Sequence, residues 1–240
     1  GGAFLQAATS NATNPNAVNE KVGSFEIGYE YHSPVFTATV NGYYTKWMDK
    51  TATRSSDLND GTKYFFNMQG VDALHMGVEL NFVYKPFRWL DFNGMLSIGD
   101  WKWDSNTKGY FYNSYGQPIQ DIKNGALASG IFAADHASAT LNQKGRKVGG
   151  SAQTTGYLGL NLKPLKGWRV GIDWTFNARN YSDFSISASD YAPTATINVG
   201  SPWEIPWGNQ LDLSASYNFK IGGLDATLFG NVYNLCDYNY

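Results

Sequence analysis

Apolar and polar residues alternate along eight stretches of the chain, and four short turn-like segments join these stretches in pairs. The turns are residues 32–34, 85–88, 163–167 and 221–223. In the first pair the apolar face carries Phe25, Ile27, Tyr29, Tyr31, Phe36, Ala38, Val40 and Tyr44. The polar face of the same pair carries Ser24, Glu26, Gly28, Glu30, Thr37, Thr39, Asn41 and Thr45. A period of two is that of a β-strand, so the sequence predicts an all-β antiparallel fold of four hairpins.

The connections between the hairpins are much longer than the turns within them. They cover about residues 48–66, 104–150 and 182–208, and they are rich in Gly, Ser, Asn and Asp. Long loops without structure are uncommon in compact soluble domains but are the rule on one side of outer-membrane barrels. The predicted strands reach ten residues, which is enough for a tilted crossing of a membrane.

Aromatic residues gather near both ends of the predicted strands. The set beside the short turns is Tyr29, Tyr31, Tyr84, Trp89, Trp168, Tyr217 and Phe219. The set beside the long connections is Tyr44, Trp47, Trp101, Trp103, Trp174, Phe176 and Tyr181. Two such sets are expected where barrel strands enter and leave the hydrocarbon layer. The pattern favours a transmembrane β-barrel with a wet, polar lumen, and a soluble lectin-like β-sandwich is the alternative.

Composition narrows the function classes. Aromatic residues and charged residues each make up 16 % of the 240 residues, and the net charge of −2 gives no basic field for nucleic acid. The single cysteine excludes an internal disulfide. The three histidines do not form pairs at metal-ligand spacing, and no nucleophile elbow, phosphate loop or dinucleotide motif occurs. We therefore expect no metal, no cofactor and no enzyme activity.

Several motifs, in order along almost the whole chain, resemble those of TonB-dependent outer-membrane receptors. Residues 19–29, NEKVGSFEIGY, resemble a strand opening of that family, and residues 77–90, GVELNFVYKPFRWL, resemble one of its hairpins. Residues 151–155 and 178–184 flank the third hairpin as in some members. Residues 231–240 resemble a late "N-V-x-N-L-F-D" motif, although Cys236 stands where the family usually has Phe.

The resemblance implies that residues 1–240 are part of a 22-stranded barrel with short periplasmic turns and long extracellular loops. On this interpretation the plug domain, the signal peptide and the remaining strands are absent from this chain, which contributes about eight strands. A closed eight-stranded barrel is the competing architecture, since eight strands can close around their own side chains. The implied location is the outer membrane of a Gram-negative bacterium.

The implied function is active transport, in which a scarce ligand such as a siderophore, cobalamin, a glycan or a peptide is taken up with energy supplied through TonB. The alternatives are a small outer-membrane barrel enzyme or adhesin and the soluble sandwich. The expected partners are outer-membrane lipid, the plug and remaining strands, TonB and a surface lipoprotein. Rings in the predicted loops could stack on a ligand or extend the outer aromatic set. The candidate ligand-binding residues are Trp101, Trp103, Tyr112, Tyr115, Trp203 and Trp207.

Overall fold

The computed structural model describes residues 18–57, 63–114, 138–183 and 196–238, together with the backbone of four two-residue strands. These residues form strands and contain no helix. The strands are β1 (Phe4–Leu5), β2 (Ala12–Thr13), β3 (Lys21–His32), β4 (Phe36–Asp57), β5 (Lys63–Phe87), β6 (Leu90–Trp103), β7 (Thr107–Asn113), β8 (Ile122–Lys123), β9 (Ala126–Leu127), β10 (Ser138–Asn142), β11 (Ala152–Leu162), β12 (Trp168–Tyr181), β13 (Thr196–Asn198), β14 (Glu204–Ile205), β15 (Gly208–Ile221) and β16 (Leu224–Val232).

Eight of these strands form one continuous antiparallel wall. Their order across the sheet is β3-β4-β5-β6-β11-β12-β15-β16. The wall strands therefore pair in the order in which they occur along the chain. The shortest has 9 residues and the longest has 25, so each can cross a membrane. The predicted all-β antiparallel fold of four hairpins is confirmed. The sheet is open, with β3 and β16 at its two edges, as in a segment of a barrel.

The predicted short turns lie at one end of this wall. The turn between β15 and β16 is Gly222-Gly223, and the φ angles of these residues are 55° and 90°. Positive φ at both central residues defines the type I′ turn, whose twist matches that of the flanking strands. Between β11 and β12, Gly167 has a φ of 85°, and a Cβ there would lie 2.5 Å from the carbonyl oxygen of Asn218. Glycine is therefore required at this turn for two independent reasons.

The cross-strand register carries one apolar row across seven of the eight strands and one polar row across five of them. One row of successive apolar partners consists of Phe36, Tyr84, Phe92, Leu160, Ile172, Leu213 and Val232. One row on the other face consists of Asn41, Glu79, Ser97, Thr155 and Asn177. The apolar side chains are left largely uncovered, with Ile27 at 67 % and Leu228 at 68 % exposure. An apolar surface of this extent requires a non-aqueous neighbour.

The far end of the wall contains more regular structure than the sequence predicts. Strand β4 continues to Asp57 and β5 begins at Lys63, so most of the predicted loop over residues 48–66 is strand. Strands β7 and β10 fall in the second predicted loop, and β13 and β14 fall in the third. These strands pair with distant segments, and a search for local alternation does not detect such pairing.

The buried core lies at this far end, where the first part of β5 packs with β7, β10 and β13. It consists of Tyr64, Phe66, Met68, Val71, Phe111, Ala139, Leu141, Ile197 and Val199. The rings of Phe66 and Phe111 are 4.6 Å apart, and both side chains are fully buried. The middle of the wall has no comparable core among the described residues, because most of its apolar side chains lie on the one outer surface.

The two predicted aromatic sets have different outcomes. At the short turns Trp168 stacks on Tyr217 with ring centres 4.8 Å apart on the apolar face. At the far end Trp47, Trp101 and Trp103 lie on the polar face, so their assignment to a membrane-facing set is wrong. The reason is strand parity: Trp101 stands three positions after the lipid-facing Ile98, and an odd separation along a strand places it on the opposite face. Its cross-strand partner His75 lies on that same face. Tyr181 is also not membrane-facing, since only 9 % of it is exposed.

Candidate functional site

A cavity of about 400 Å³ lies on the polar face of the wall where β3, β4, β5 and β6 run side by side. Its side chains are aromatic towards the far end and acidic towards the middle of the wall. They include Glu26, Tyr43, Trp47, His75, Glu79 and Trp101. Among the described residues, no Lys or Arg side chain lines the cavity.

The aromatic part of the cavity is built from rings that contact one another edge to face. The ring of His75 is nearly perpendicular to that of Trp101, with centres 5.3 Å apart, and to that of Trp47, with centres 6.5 Å apart. The indole N–H of Trp101 donates a hydrogen bond to the Tyr43 hydroxyl at 2.9 Å. The ammonium of Lys50 lies 4.4 Å from the centre of the Trp47 ring. These contacts fix the ring positions, and because the Tyr43 oxygen accepts from Trp101, its O–H can donate to a ligand.

The backbone of Trp101 is held by the side chain of Gln153. The Gln153 carbonyl oxygen accepts from the Trp101 N–H at 3.0 Å, and its amide donates to the carbonyl oxygens of Trp101 at 3.0 Å and Val148 at 3.1 Å. Strand pairing between β6 and β11 ends at Ile98, and beyond it the Gln153 side chain bonds the Trp101 backbone beside the backbone bond from the Val148 N–H to the Trp101 carbonyl oxygen. Gln153 is 1 % exposed, which makes its three bonds the internal support of the aromatic part of the cavity.

The acidic part of the cavity holds two carboxylates on different strands. Glu26 lies on β3, Glu79 lies on β5, and Asn41 on β4 between them is the cross-strand partner of Glu79. The ion pairs of the described residues include neither glutamate. The two carboxylates therefore have no ion-pair partner among the described side chains, and the Lys50 ammonium beside Trp47 is paired with Glu20.

Comparison with known families decides the class of this wall. The sequence profile of the family described as "TonB dependent receptor-like, beta-barrel" matches residues 2–235. The chain belongs to this family of TonB-dependent receptor barrels. Neither the search of curated proteins nor the search of solved structures found a match. Members of the family are transporters in the outer membrane of Gram-negative bacteria, embedded in lipid and working with a plug domain and TonB.

Family membership assigns the surroundings of the two faces and the two ends of the wall. The apolar face meets lipid, the polar face lines the lumen, the short turns are periplasmic and the far end is extracellular. The lipid-facing band ends near Tyr44 and Met76, since the next cross-strand partner of Met76 is the charged Asp100. Trp47, His75 and Trp101 stand just outside this level, whereas Tyr43 is level with its cross-strand partner Glu26. Glu79 lies deeper in the lumen.

The structure does not bring the predicted ligand-binding residues together. Trp101 lines the lumenal cavity, whereas Trp103 packs against the extracellular core and Tyr112 is buried at 8 % exposure. Trp203 and Trp207 are exposed at the extracellular side of β12 and β15. Tyr115 lies outside the described residues. The assignment of these rings to a ligand site stays a prediction.

Sequence analysis did not single out Tyr43, and it assigned Trp47 to the aromatic set beside the long connections. Tyr43 stands between Asn41 and Thr45 in the polar set of its strand, and Trp47 follows at the same parity. Strict alternation would have placed both rings in the lumen. A large ring suggests the lipid face, whereas the two-residue period of the strand assigns these positions to the lumen.

Ion pairs organise the extracellular end beyond the lipid-facing band. Lys46 and Asp104 approach to 2.7 Å, and Lys144 reaches the same carboxylate at 4.0 Å. The hydrogen bond from Lys46 lowers the pKa of Asp104 below its ordinary value, and the same bond raises the pKa of Lys46. Burial raises the pKa of the Tyr112 hydroxyl.

The described residues contain neither a metal-ligand cluster nor a membrane-spanning helix. No group of three or more His, Cys, Asp or Glu side chains among them is arranged to hold a metal ion. No helix in the described part of the chain has the length and apolar character required to span a membrane.

Proposed function

We propose that this chain forms wall, lumen lining and extracellular structure of an outer-membrane receptor that imports a scarce ligand with energy supplied through TonB. The observation that carries the proposal is the lumenal cavity, because its two indoles stand at the extracellular mouth and its carboxylates lie deeper along the same face. Family membership supports the transport class. A siderophore, cobalamin, a glycan and a peptide are the ligand classes that we consider.

We further propose that residues 1–240 act as one part of a larger receptor barrel, with the plug domain and other strands beside them. Two wall edges, β3 and β16, have no second partner among the described strands. Hydrocarbon does not tolerate unpaired backbone N–H and C=O groups, so such edges call for further strands in the membrane. A surface lipoprotein remains an expected partner on the extracellular side.

Growth of deletion strains tests the transport proposal. The gene encoding this protein and the gene for TonB are deleted separately, and growth is measured on panels of ferric chelates, cobalamin, glycans and peptides as limiting nutrients. We expect one nutrient class to support growth only when both genes are present. Growth on every nutrient without this protein, or equal uptake without TonB, would contradict the proposal.

A further inference from the structure

We propose that the lumenal cavity binds the ammonium group of a cationic ligand, either an amine-bearing sugar or a basic peptide. The inference rests on the proposed transport function and names the chemistry of its ligand. The cavity is defined by Glu26, Glu79, Tyr43, Trp47, His75 and Trp101. Its occupant is argued from charge, ring chemistry and size.

Charge is the first argument. Glu26 and Glu79 face one cavity from strands that are two apart in the sheet, and the described ion pairs include neither of them. Glu30 follows Glu26 on the same face of β3, and the Lys50 ammonium beside the cavity lies over Trp47 and is paired with Glu20, not with Glu26 or Glu79. A cation entering here gains two charge-assisted hydrogen bonds, whereas an anionic chelate meets repulsion.

Ring chemistry is the second argument. A cation is attracted to the face of an indole within about 6 Å of its centre, and Trp is the strongest of the aromatic residues in this respect. Two indoles line the mouth of the cavity, and Trp47 already holds the Lys50 ammonium at 4.4 Å from its ring centre. Lys50 is in turn paired with Glu20 at 3.3 Å, which shows the same combination of ring and carboxylate beside the cavity.

Size and position are the third argument. A volume of about 400 Å³ is at the small end of ligand sites, and it suits one side chain or one to two sugar rings. A ligand arriving from outside would meet Trp47 and Trp101 first and the carboxylates afterwards. Stacking on rings before pairing with charge would select ligands that carry both an apolar face and an amine.

Binding of defined amines to the intact receptor, purified in detergent from outer membranes, tests the inference. The probes are triglucosamine and trilysine, each compared with its fully N-acetylated form by isothermal titration calorimetry. We expect at least one amine to bind at least about tenfold more tightly than its acetylated form. Glu26→Gln and Glu79→Gln should each remove most of that preference, because each deletes one charged acceptor.

Glu30→Gln is the matched control, since this residue lies on the same face of the same strand but outside the cavity. It should change the affinity by less than about twofold. Equal binding of amine and acetylated probes, absence of binding by both amines, or an equal loss in Glu30→Gln would overturn the inference. Gln variants that lower the thermal midpoint without changing probe affinity would show that the glutamates pair with the plug, and this too would overturn it.

These outcomes are separable from the transport proposal. TonB-dependent growth that survives while no amine binds would remove the cationic ligand and keep the transport function. If amine binding depends on Glu26 and Glu79 but growth does not depend on TonB, the cationic ligand is kept and the transport function is removed.

Discussion

The buried amide of Gln153 gives the sharpest quantitative prediction, because it bonds the Trp101 backbone at the seam between β6 and β11. The substitution Gln153→Leu keeps a side chain of similar bulk and removes three hydrogen bonds to Trp101 and Val148. Since each bond contributes about 1 kcal/mol, the substitution should lower the free energy of local opening at this seam by about 2–3 kcal/mol. The Trp101 N–H loses its acceptor, so local opening becomes the favoured route for exchange.

Amide hydrogen exchange in peptides that contain residues 99–103 measures this effect. A loss of that size corresponds to about 30- to 150-fold faster exchange at Trp101. Thr154→Val is the matched control, since the neighbouring Thr154 hydroxyl is buried and has no hydrogen-bond partner among the described residues. A change of less than about threefold in Gln153→Leu would refute the view that this side chain holds the seam.

Three further predictions test the faces, the core and the extracellular ion pair. Ile172→Arg places a charge on the lipid face and should cost about 2–4 kcal/mol if the residue lies at the membrane midplane, as measured by folding into lipid vesicles. Gly109→Ala would place a Cβ 2.3 Å from the ring of Phe66, so it should cost about 1–3 kcal/mol, with partial recovery when Phe66→Leu is added. Asp104→Asn should lower the thermal midpoint at neutral pH and have no effect in acid, because the lowered pKa of Asp104 gives stability that is present above its unfolded-state pKa and lost as pH falls through its folded-state pKa.

Each of these predictions has an outcome that contradicts it. Asp173→Asn should be nearly silent, since the amide oxygen can still accept the hydrogen bond from Tyr157, so equal tolerance at Ile172 and Asp173 would mean that the faces are wrongly assigned. No stability change in Gly109→Ala would mean that the Phe66 ring moves freely. An equal effect of Asp104→Asn at acid and neutral pH would exclude its ion pair as the cause.

The wall was predictable because its information is local. The hairpin around Gly222-Gly223 needs only alternation on both sides and two residues that accept positive φ, and residues 211–232 display both features. The extracellular core was not predictable in this way. Phe66 and Phe111 meet across the pairing of β5 with β7, which are far apart along the chain, and no short window reveals that contact.

The cavity was only partly predictable from the sequence. Glu26 and Glu79 could be placed in the lumen by parity alone, but their sharing of one cavity depends on the register of three strands. Trp101 was a candidate from composition, yet its neighbours His75 and Tyr43 come from other strands. The alternation along one strand predicts the face on which each residue lies, but it does not predict the residue's cross-strand partner.

By itself the sequence determined the strand period, the four turns, the separation of a lipid face from a lumenal face and the family resemblance. These follow from alternation and turn chemistry, which act over a few residues. Only the tertiary structure decided which rings enter the lumen, where the buried core lies and how Gln153 completes the seam beside Trp101. Those features depend on register between distant strands, where a shift of one residue moves every side chain to the opposite face.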